Sequence, residues 1–207
     1  MRVEIWADVV CPWCYLGKRR FEQALEGFEH RDEVEVTYRA FQLDPQAETM
    51  DRTEMLVSKF GVTPERAVQL NEEMEQRAAE AGLEYNLDGT VVGNTLDAHR
   101  LVHLASELGL QEAFVEALYK AHFTDKRSLF DHDSLTKVAV EAGLDEAAVR
   151  KVLESDEYAD AVLAEQSAAQ DLGATGVPFF VFDRRYGVAG AQATETFSEV
   201  LAKAYAG

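Results

Sequence analysis

Cys11-Pro12-Trp13-Cys14 lies where an alternating apolar pattern over residues 2–10 gives way to a helical pattern that begins at Pro12. A Cys-x-x-Cys motif between a strand and a helix is typical of a redox-active dithiol. Proline is favoured at the first position of a helix, which makes Cys11 the N-cap residue. The free amides of the first turn and the helix dipole favour a thiolate there. We therefore expect Cys11 to attack as the nucleophile and Cys14, one turn along, to act as the resolving thiol.

Two other interpretations of the cysteine pair carry less weight. A structural disulfide that closes only four residues would contribute roughly 2 kcal/mol, against about 4.7 kcal/mol for a loop of a hundred residues. A tetrahedral zinc site needs further cysteine or histidine ligands at short spacing, and the chain has no third cysteine. His99 and His103 have the i, i+4 spacing of a zinc pair, but no glutamate lies between them as in a metalloprotease helix. We expect structural histidines there and no metal site.

The overall composition narrows the classes of partner. The 207 residues carry a formal net charge of −18, whereas phosphate binding needs clustered Lys and Arg, so we expect no nucleic acid ligand. The acidic balance and the lack of a long apolar run argue against membrane binding. Met1 leads straight into the first strand pattern without a signal peptide, which predicts a cytoplasmic protein. In that compartment thiols are kept reduced, and disulfides are mostly transient and catalytic.

The order of periodic patterns predicts an α/β protein with a helical insertion. Residues 3–9 and 34–38 alternate like strands on either side of one helix, and such β-α-β units pair their strands in parallel. From Asp44 to about Asp171 almost every pattern is helical. Phe179 to Phe182 then forms a continuous apolar run, which is typical of a strand covered on both faces. We assign residues 1–44 and 172–207 to one domain and residues 45–171 to an all-helical insertion.

Three segments of the chain carry a family resemblance. They are Trp6-Ala7-Asp8-Val9-Val10-Cys11-Pro12-Trp13-Cys14-Tyr15, Asn94-Thr95 with Ala98-His99-Arg100, and Thr175-Gly176-Val177-Pro178-Phe179-Phe180-Val181-Phe182. Together they resemble the DsbA-like family, in particular its FrnE branch, which is similar to 2-hydroxychromene-2-carboxylate isomerases and kappa-class glutathione transferases. The resemblance implies a thioredoxin fold with an inserted all-helical domain.

The resemblance also implies a set of site residues. Cys11 is the nucleophilic thiol, Cys14 the resolving thiol, and Pro178 a cis proline that faces them. The backbone of Val177 would pair with a bound peptide or with glutathione as an extra strand. Trp13, between the cysteines, is expected to be exposed and to contact the substrate.

A carboxylate on the first strand is a further candidate. Thioredoxin-like proteins often carry a buried acid there that relays the proton of the resolving thiol. Glu4 is on the right strand, but its spacing to Cys11 is one residue longer than usual. A solvated strand carboxylate is the competing interpretation.

These features predict a thiol–disulfide oxidoreductase that works through a mixed disulfide. The alternative is a glutathione-dependent isomerase or transferase, whose members typically carry a hydroxyl at the place of Cys11. A third hypothesis is an interaction protein that kept the motif by descent. The predicted partners are proteins or small molecules that contain a disulfide or thiol, and glutathione is considered only as a co-substrate. Relatives of this type include monomers and dimers, so we expect either a monomer or a homodimer.

Overall fold

The computed structural model describes residues 1–207 and divides them into two units. Met1–Leu43 and Val162–Gly207 form the first unit, and Asp44–Ala161 form the second. Strands and helices together confirm the predicted α/β class. The first boundary lies one residue before the expected one, but the second lies ten residues before the expected boundary after residue 171.

The second boundary differs because the last insertion helix packs into the first unit. This helix spans Ala159–Asp171. Its Ala169 is fully buried in a cluster with Trp6, Phe179 and Val181. The indole Nε1 of Trp6 also donates a hydrogen bond to the carbonyl oxygen of Glu165 at 2.9 Å. Residues 162–171 are therefore part of the core of the first unit, although their sequence pattern is that of the helices before them.

A four-stranded sheet organises the first unit. Its strands are β1 (Arg2–Ala7), β2 (Glu35–Ala40), β5 (Phe179–Phe182) and β6 (Tyr186–Ala189), in the order β2-β1-β5-β6. β1 runs parallel to β2, as the β-α-β pattern predicts, and antiparallel to β5. β6 pairs with β5 at the edge. Because β1 is central, nearly all of its residues are buried, including those on the face that carries Glu4 and Trp6.

Aromatic side chains join the sheet to two helices of the first unit, α1 (Pro12–Glu26) and α9 (Thr194–Ala206). The ring of Phe21 lies 5.7 Å from that of Phe180 and 5.8 Å from that of Phe197. Phe180 and Phe197 are 4.6 Å apart between ring centroids. All three rings are buried, so this contact anchors the helix that begins beside Cys11 against the sheet.

The second unit is mostly helical. Its helices are α2 (Arg52–Phe60), α3 (Pro64–Glu80), α4 (Leu96–Glu107), α5 (Gln111–Tyr119), α6 (His132–Glu141) and α7 (Glu146–Leu153), followed by the start of α8 (Ala159–Asp171). It also contains a short antiparallel pair of strands, β3 (Met50–Asp51) with β4 (Val91–Val92). The expectation of an all-helical insertion is wrong on this point, because a two-residue strand is too short to show an alternating pattern.

Helix caps explain most of the helix starts in this unit. The side chains of Asp51, Thr63 and Asp145 each accept a hydrogen bond from a backbone N–H in the first turn of the following helix. Asp131 does the same at the start of α6. None of the helices combines the length and the apolar character that a membrane-crossing segment needs.

Candidate active site

The dithiol lies between the end of β1 and the start of α1. The backbone N–H of Cys11 donates to the carbonyl of Asp8 at 3.1 Å, which closes the turn after the strand. Cys11 is the N-cap of α1 and Pro12 follows in its first turn, as predicted. Both cysteines are thiols. The order strand, dithiol, helix is therefore the one that the sequence indicates.

The sulfur of Cys11 makes a different contact from the one expected. We expected it beside the free amides of the helix, but the side chain makes no capping hydrogen bond. Its thiol instead donates to the carbonyl oxygen of Val177 at 3.8 Å. A thiol can make this contact and a thiolate cannot, because only the thiol has a proton to donate. Ionisation of Cys11 would therefore break its contact with Val177.

The three side chains of the motif differ in exposure. Trp13 is 43 % exposed, Cys11 retains 5 % and Cys14 only 1 %. The exposure predicted for Trp13 is confirmed. Of the two cysteines, Cys11 therefore retains more exposed surface than Cys14.

Burial raises the pKa of the Cys14 thiol well above its usual value. The neighbouring Cys11 raises this pKa further, and so does the negative charge of Asp8, while a hydrogen bond from the backbone of Asp8 opposes them. Cys14 is therefore a neutral thiol at neutral pH and must lose a proton before it can attack.

A close approach of α1 places the turn around Pro178 beside the motif. The Val177–Pro178 peptide bond is cis, as the resemblance implied. A Cβ atom added at Gly17 would lie only 2.9 Å from Cγ of Pro178, so the helix can approach this ring because position 17 has no side chain. The carbonyl of Pro178 accepts from the N–H of Gly190 at 2.8 Å, which ties the turn to the end of β6.

Glu4 is buried and bound by two arginine side chains. It is 1 % exposed, and its carboxylate accepts hydrogen bonds from Arg39 at 3.0 and 3.1 Å and from Arg184 at 2.9 and 3.2 Å. Burial alone would raise its pKa, but the hydrogen bonds and charges of Arg184 and Arg39 bring the pKa below the ordinary value. The interpretation of Glu4 as a solvated carboxylate is therefore wrong, because Glu4 is the centre of a buried ion cluster. Its use as a proton relay stays a prediction.

Asp8 is the buried acid beside the dithiol, and the sequence reasoning missed it. It is 1 % exposed, and its Oδ2 accepts a hydrogen bond from the N–H of Leu43 at 2.7 Å. The available signal was a lone acid after an apolar strand and three residues before the first cysteine. Its proximity shows in the pKa of Cys14, which the charge of Asp8 raises.

The two histidines of α4 have separate surroundings. His99 is buried, and the ring of His103 stacks on that of Tyr158 with centroids 5.8 Å apart. No group of three or more His, Cys, Asp or Glu side chains has the arrangement of a metal site.

The sequence matches the DSBA-like thioredoxin domain family over residues 2–202. The chain belongs to this family. A structure from Streptomyces coelicolor, described as a probable DsbA oxidoreductase, is 48 % identical and superimposes with a TM-score of 0.96 over 100 % of this chain and 90 % of that one. The predicted thioredoxin fold and the predicted DsbA-like family are thereby confirmed.

Two more distant structures share the fold. A 2-hydroxychromene-2-carboxylate isomerase has a TM-score of 0.71 at 15 % identity, over 98 % of this chain and 95 % of that one. The cytosolic disulfide reductase DsbM from Pseudomonas aeruginosa, solved with glutathione, has a TM-score of 0.66 at 17 % identity over the whole of both chains. The DsbA-like family thus includes this chain, and its fold is shared by a disulfide reductase and by an isomerase.

Proposed function

We propose that this protein is a thiol–disulfide oxidoreductase in which Cys11 attacks and Cys14 resolves. The observation that carries the proposal is the unequal pair of thiols at the start of α1. Cys11 keeps some exposure, whereas Cys14 is sealed and its pKa is raised. The membership of the DsbA-like family supports the same reaction.

The reaction transfers two electrons in two exchanges. The thiolate of Cys11 attacks one sulfur of a substrate disulfide, and the other substrate sulfur leaves as a thiolate and takes up a proton. Cys14 then loses its proton and attacks the sulfur of Cys11 in the mixed disulfide. The second substrate thiol leaves, and Cys11 and Cys14 are joined as a disulfide. The reverse sequence oxidises a substrate dithiol.

The two residues between the cysteines favour a milder oxidant than DsbA. A dithiol is strongly oxidising when its reduced form is stabilised, as in DsbA, where the nucleophile has a pKa of about 3.5. Neither Pro12 nor Trp13 carries a positive charge that would stabilise a thiolate of Cys11. We expect a reduction potential clearly below the approximately −120 mV of DsbA.

Val177, Pro178 and Trp13 are the proposed substrate-binding residues. The carbonyl of Val177 accepts from the thiol of Cys11 in the free protein. When Cys11 is held in a mixed disulfide, this donor is gone. The carbonyl can then accept an N–H from an extended peptide or from glutathione, as in strand addition. Trp13 supplies exposed apolar surface next to the attacking sulfur.

We also propose that the protein works in the cytoplasm, as a monomer or a homodimer. Its only two cysteines form one redox motif, which is the usual pattern where thiols are kept reduced. Glutathione is the proposed co-substrate if one is required.

The alternative is a glutathione-dependent isomerase or transferase. Such an enzyme needs one activated position at the start of α1 and has no use for a second thiol one turn along. Retention of both Cys11 and Cys14 therefore favours the oxidoreductase.

Insulin reduction with dithiothreitol tests the proposal. We expect the wild-type protein to accelerate the reduction and Cys11→Ser to abolish the acceleration, because the attacking sulfur is lost. Turnover that survives in Cys11→Ser would exclude the dithiol mechanism.

A further inference from the structure

The negative charge of the protein is unevenly divided between its two units. The second unit holds eleven Lys and Arg against twenty-five Asp and Glu, a formal net charge of −14. The first unit holds nine Lys and Arg against thirteen Asp and Glu, a net charge of −4. An anionic substrate would therefore meet repulsion from both parts of the chain.

The basic side chains on the dithiol helix are already engaged. Lys18 is buried and paired with Glu22, and Arg19 lies 3.6 Å from the same carboxylate. The guanidinium of Arg20 donates to the carbonyl of Ala191 at 2.9 Å. None of these charges is presented at the first turn of α1, where a substrate carboxylate would need it.

Among the other basic residues of the sheet, Arg39 lies near the dithiol end but is bound to Glu4 and Glu165, and the rest lie at the opposite end. Arg2 begins β1, and Arg184 and Arg185 follow the end of β5, which pairs with Val3. At a rise of about 3.3 Å per residue, the start of β1 is roughly 16 Å from its end beside the dithiol. Arg184 is also bound to Glu4. The positive charges of α1 and of the sheet are thus either engaged or far from Cys11, where the carboxylates of glutathione would need them.

Two exposed apolar side chains lie at the dithiol end of the sheet. Trp13 is 43 % exposed and Leu43 is 44 % exposed. Leu43 lies at the same end of the sheet as the motif, because its N–H is held by the carboxylate of Asp8. An exposed indole face attracts apolar groups and also the cationic heads of Lys and Arg.

We propose that the substrates are disulfides in neutral or positively charged polypeptide segments, and that oxidised glutathione is disfavoured. This inference rests on the proposed function and names the substrate class of the same dithiol. Each glutathione carries two carboxylates and one ammonium group, so its disulfide is an anion. A peptide with Lys or Arg near the cysteine is attracted by the overall charge of −18 and can place its apolar and cationic groups on Trp13.

Electrostatic steering changes association rates by about ten- to a thousand-fold and is screened by salt over a Debye length of about 8 Å at physiological ionic strength. The preference should therefore appear in kcat/KM and weaken as salt is added.

Four disulfide substrates test the inference. Three peptide disulfides differ only in the residues that flank the cysteines, which are Lys, Gln or Glu, and the fourth substrate is oxidised glutathione. At low salt we expect kcat/KM for the Lys peptide to exceed that for the Glu peptide at least about tenfold, with the Gln peptide between them and glutathione disulfide lowest. At high salt the ratio should shrink.

The possible outcomes distinguish a failure of this inference from a failure of the proposed function. Equal Cys11-dependent turnover of all four substrates, or faster turnover of oxidised glutathione, would overturn the inference and leave the oxidoreductase standing. Failure of the wild-type protein to reduce any of the four would overturn the proposed function as well.

Substitution of Trp13 tests the role of the indole. Trp13→Ala should narrow the difference in kcat/KM between the Lys and Gln peptides, whereas Trp13→Phe should keep part of this difference. An unchanged difference in Trp13→Ala would contradict the role given to the indole.

Discussion

Two carboxylates, one within β1 and one directly after it, are buried to the same degree but have different surroundings. Glu4 and Asp8 are each 1 % exposed. Glu4 is matched by two guanidinium groups, so its charge is neutralised where it lies. Asp8 receives a backbone N–H from Leu43, and its charge reaches Cys14. The groups around a buried acid thus decide its effect, and of these two acids only Asp8 raises the pKa of Cys14.

The largest expected effect is the loss of the Glu4 cluster. Glu4→Gln leaves Arg184 without its carboxylate partner and Arg39 with Glu165 alone, and removal of one partner from a buried ion pair typically costs 3–5 kcal/mol. Because the side chain of Arg184 is 60 % exposed and can reach water, we expect a loss of about 3 kcal/mol in the free energy of unfolding, measured with urea. The reduction potential should not change.

A surface ion pair serves as the control for this variant. Arg66 and Glu73 lie 2.6 Å apart but are about half exposed, so Glu73→Gln should cost at most about 1 kcal/mol. Equal losses in Glu4→Gln and Glu73→Gln would contradict the structural role of the cluster. A changed reduction potential in Glu4→Gln would show that Glu4, like Asp8, affects the dithiol.

The second expected effect concerns the fit of α1 against Pro178. Gly17→Ala places a methyl group 2.9 Å from the proline ring and 3.4 Å from Ala191, so backbone must move. We expect a loss of about 1–3 kcal/mol in unfolding free energy and a lower kcat/KM, because the Val177 carbonyl moves with the turn. Gly27→Ala is the matched control on the same helix, since nothing lies closer than 3.7 Å to its added methyl group. Equal stability and activity in the two variants would contradict the close approach.

Asp8→Asn should change the rate of mixed-disulfide resolution more than the free energy of unfolding. The amide oxygen of Asn can still accept the N–H of Leu43, but the negative charge that raises the pKa of Cys14 is gone. We expect the pKa of Cys14 to fall, and the pH profile for resolution of the mixed disulfide to move to lower pH with it. Rapid-quench measurement of that step across pH would show it. A profile that stays in place, or moves to higher pH, would show that Asp8 does not act on Cys14.

The smallest effect is on acid unfolding. The pKa of Glu4 is lower in the folded protein than in the unfolded chain, where it is about 4.3. Its stabilisation is therefore complete above about pH 4.3 and is lost as the pH falls through the lower folded value. Wild-type stability should fall more steeply than that of Glu4→Gln below about pH 4.3. Parallel curves would mean that Glu4 has the same pKa in both states.

The sequence was sufficient for the β-α-β unit, the later apolar strand and the position of the dithiol, because all three depend on local patterns. The run Phe179–Phe182 is apolar on both faces and forms a strand buried on both faces. The partners of Glu4 are 35 and 180 residues away, so no local pattern could show them. The second unit boundary was missed for a similar reason. The helical pattern of residues 159–171 does not tell which core Ala169 joins.

The position of the dithiol at the start of α1 was predicted, but the contacts around it were not. Proline at position 12 fixed Cys11 as the N-cap. The contact of its thiol with Val177 depends on a turn 166 residues away. The role of Asp8 likewise depends on the return of the chain at Leu43.

Identification of the attacking sulfur tests the central claim most directly. A peptide disulfide is mixed with Cys14→Ser and with Cys11→Ser, and the adducts are located by mass spectrometry after acid quenching. We predict a stable mixed disulfide on Cys11 in Cys14→Ser and almost no adduct on Cys14 in Cys11→Ser, because Cys14 is buried and protonated. An adduct that forms as fast on Cys14 as on Cys11 would contradict the account.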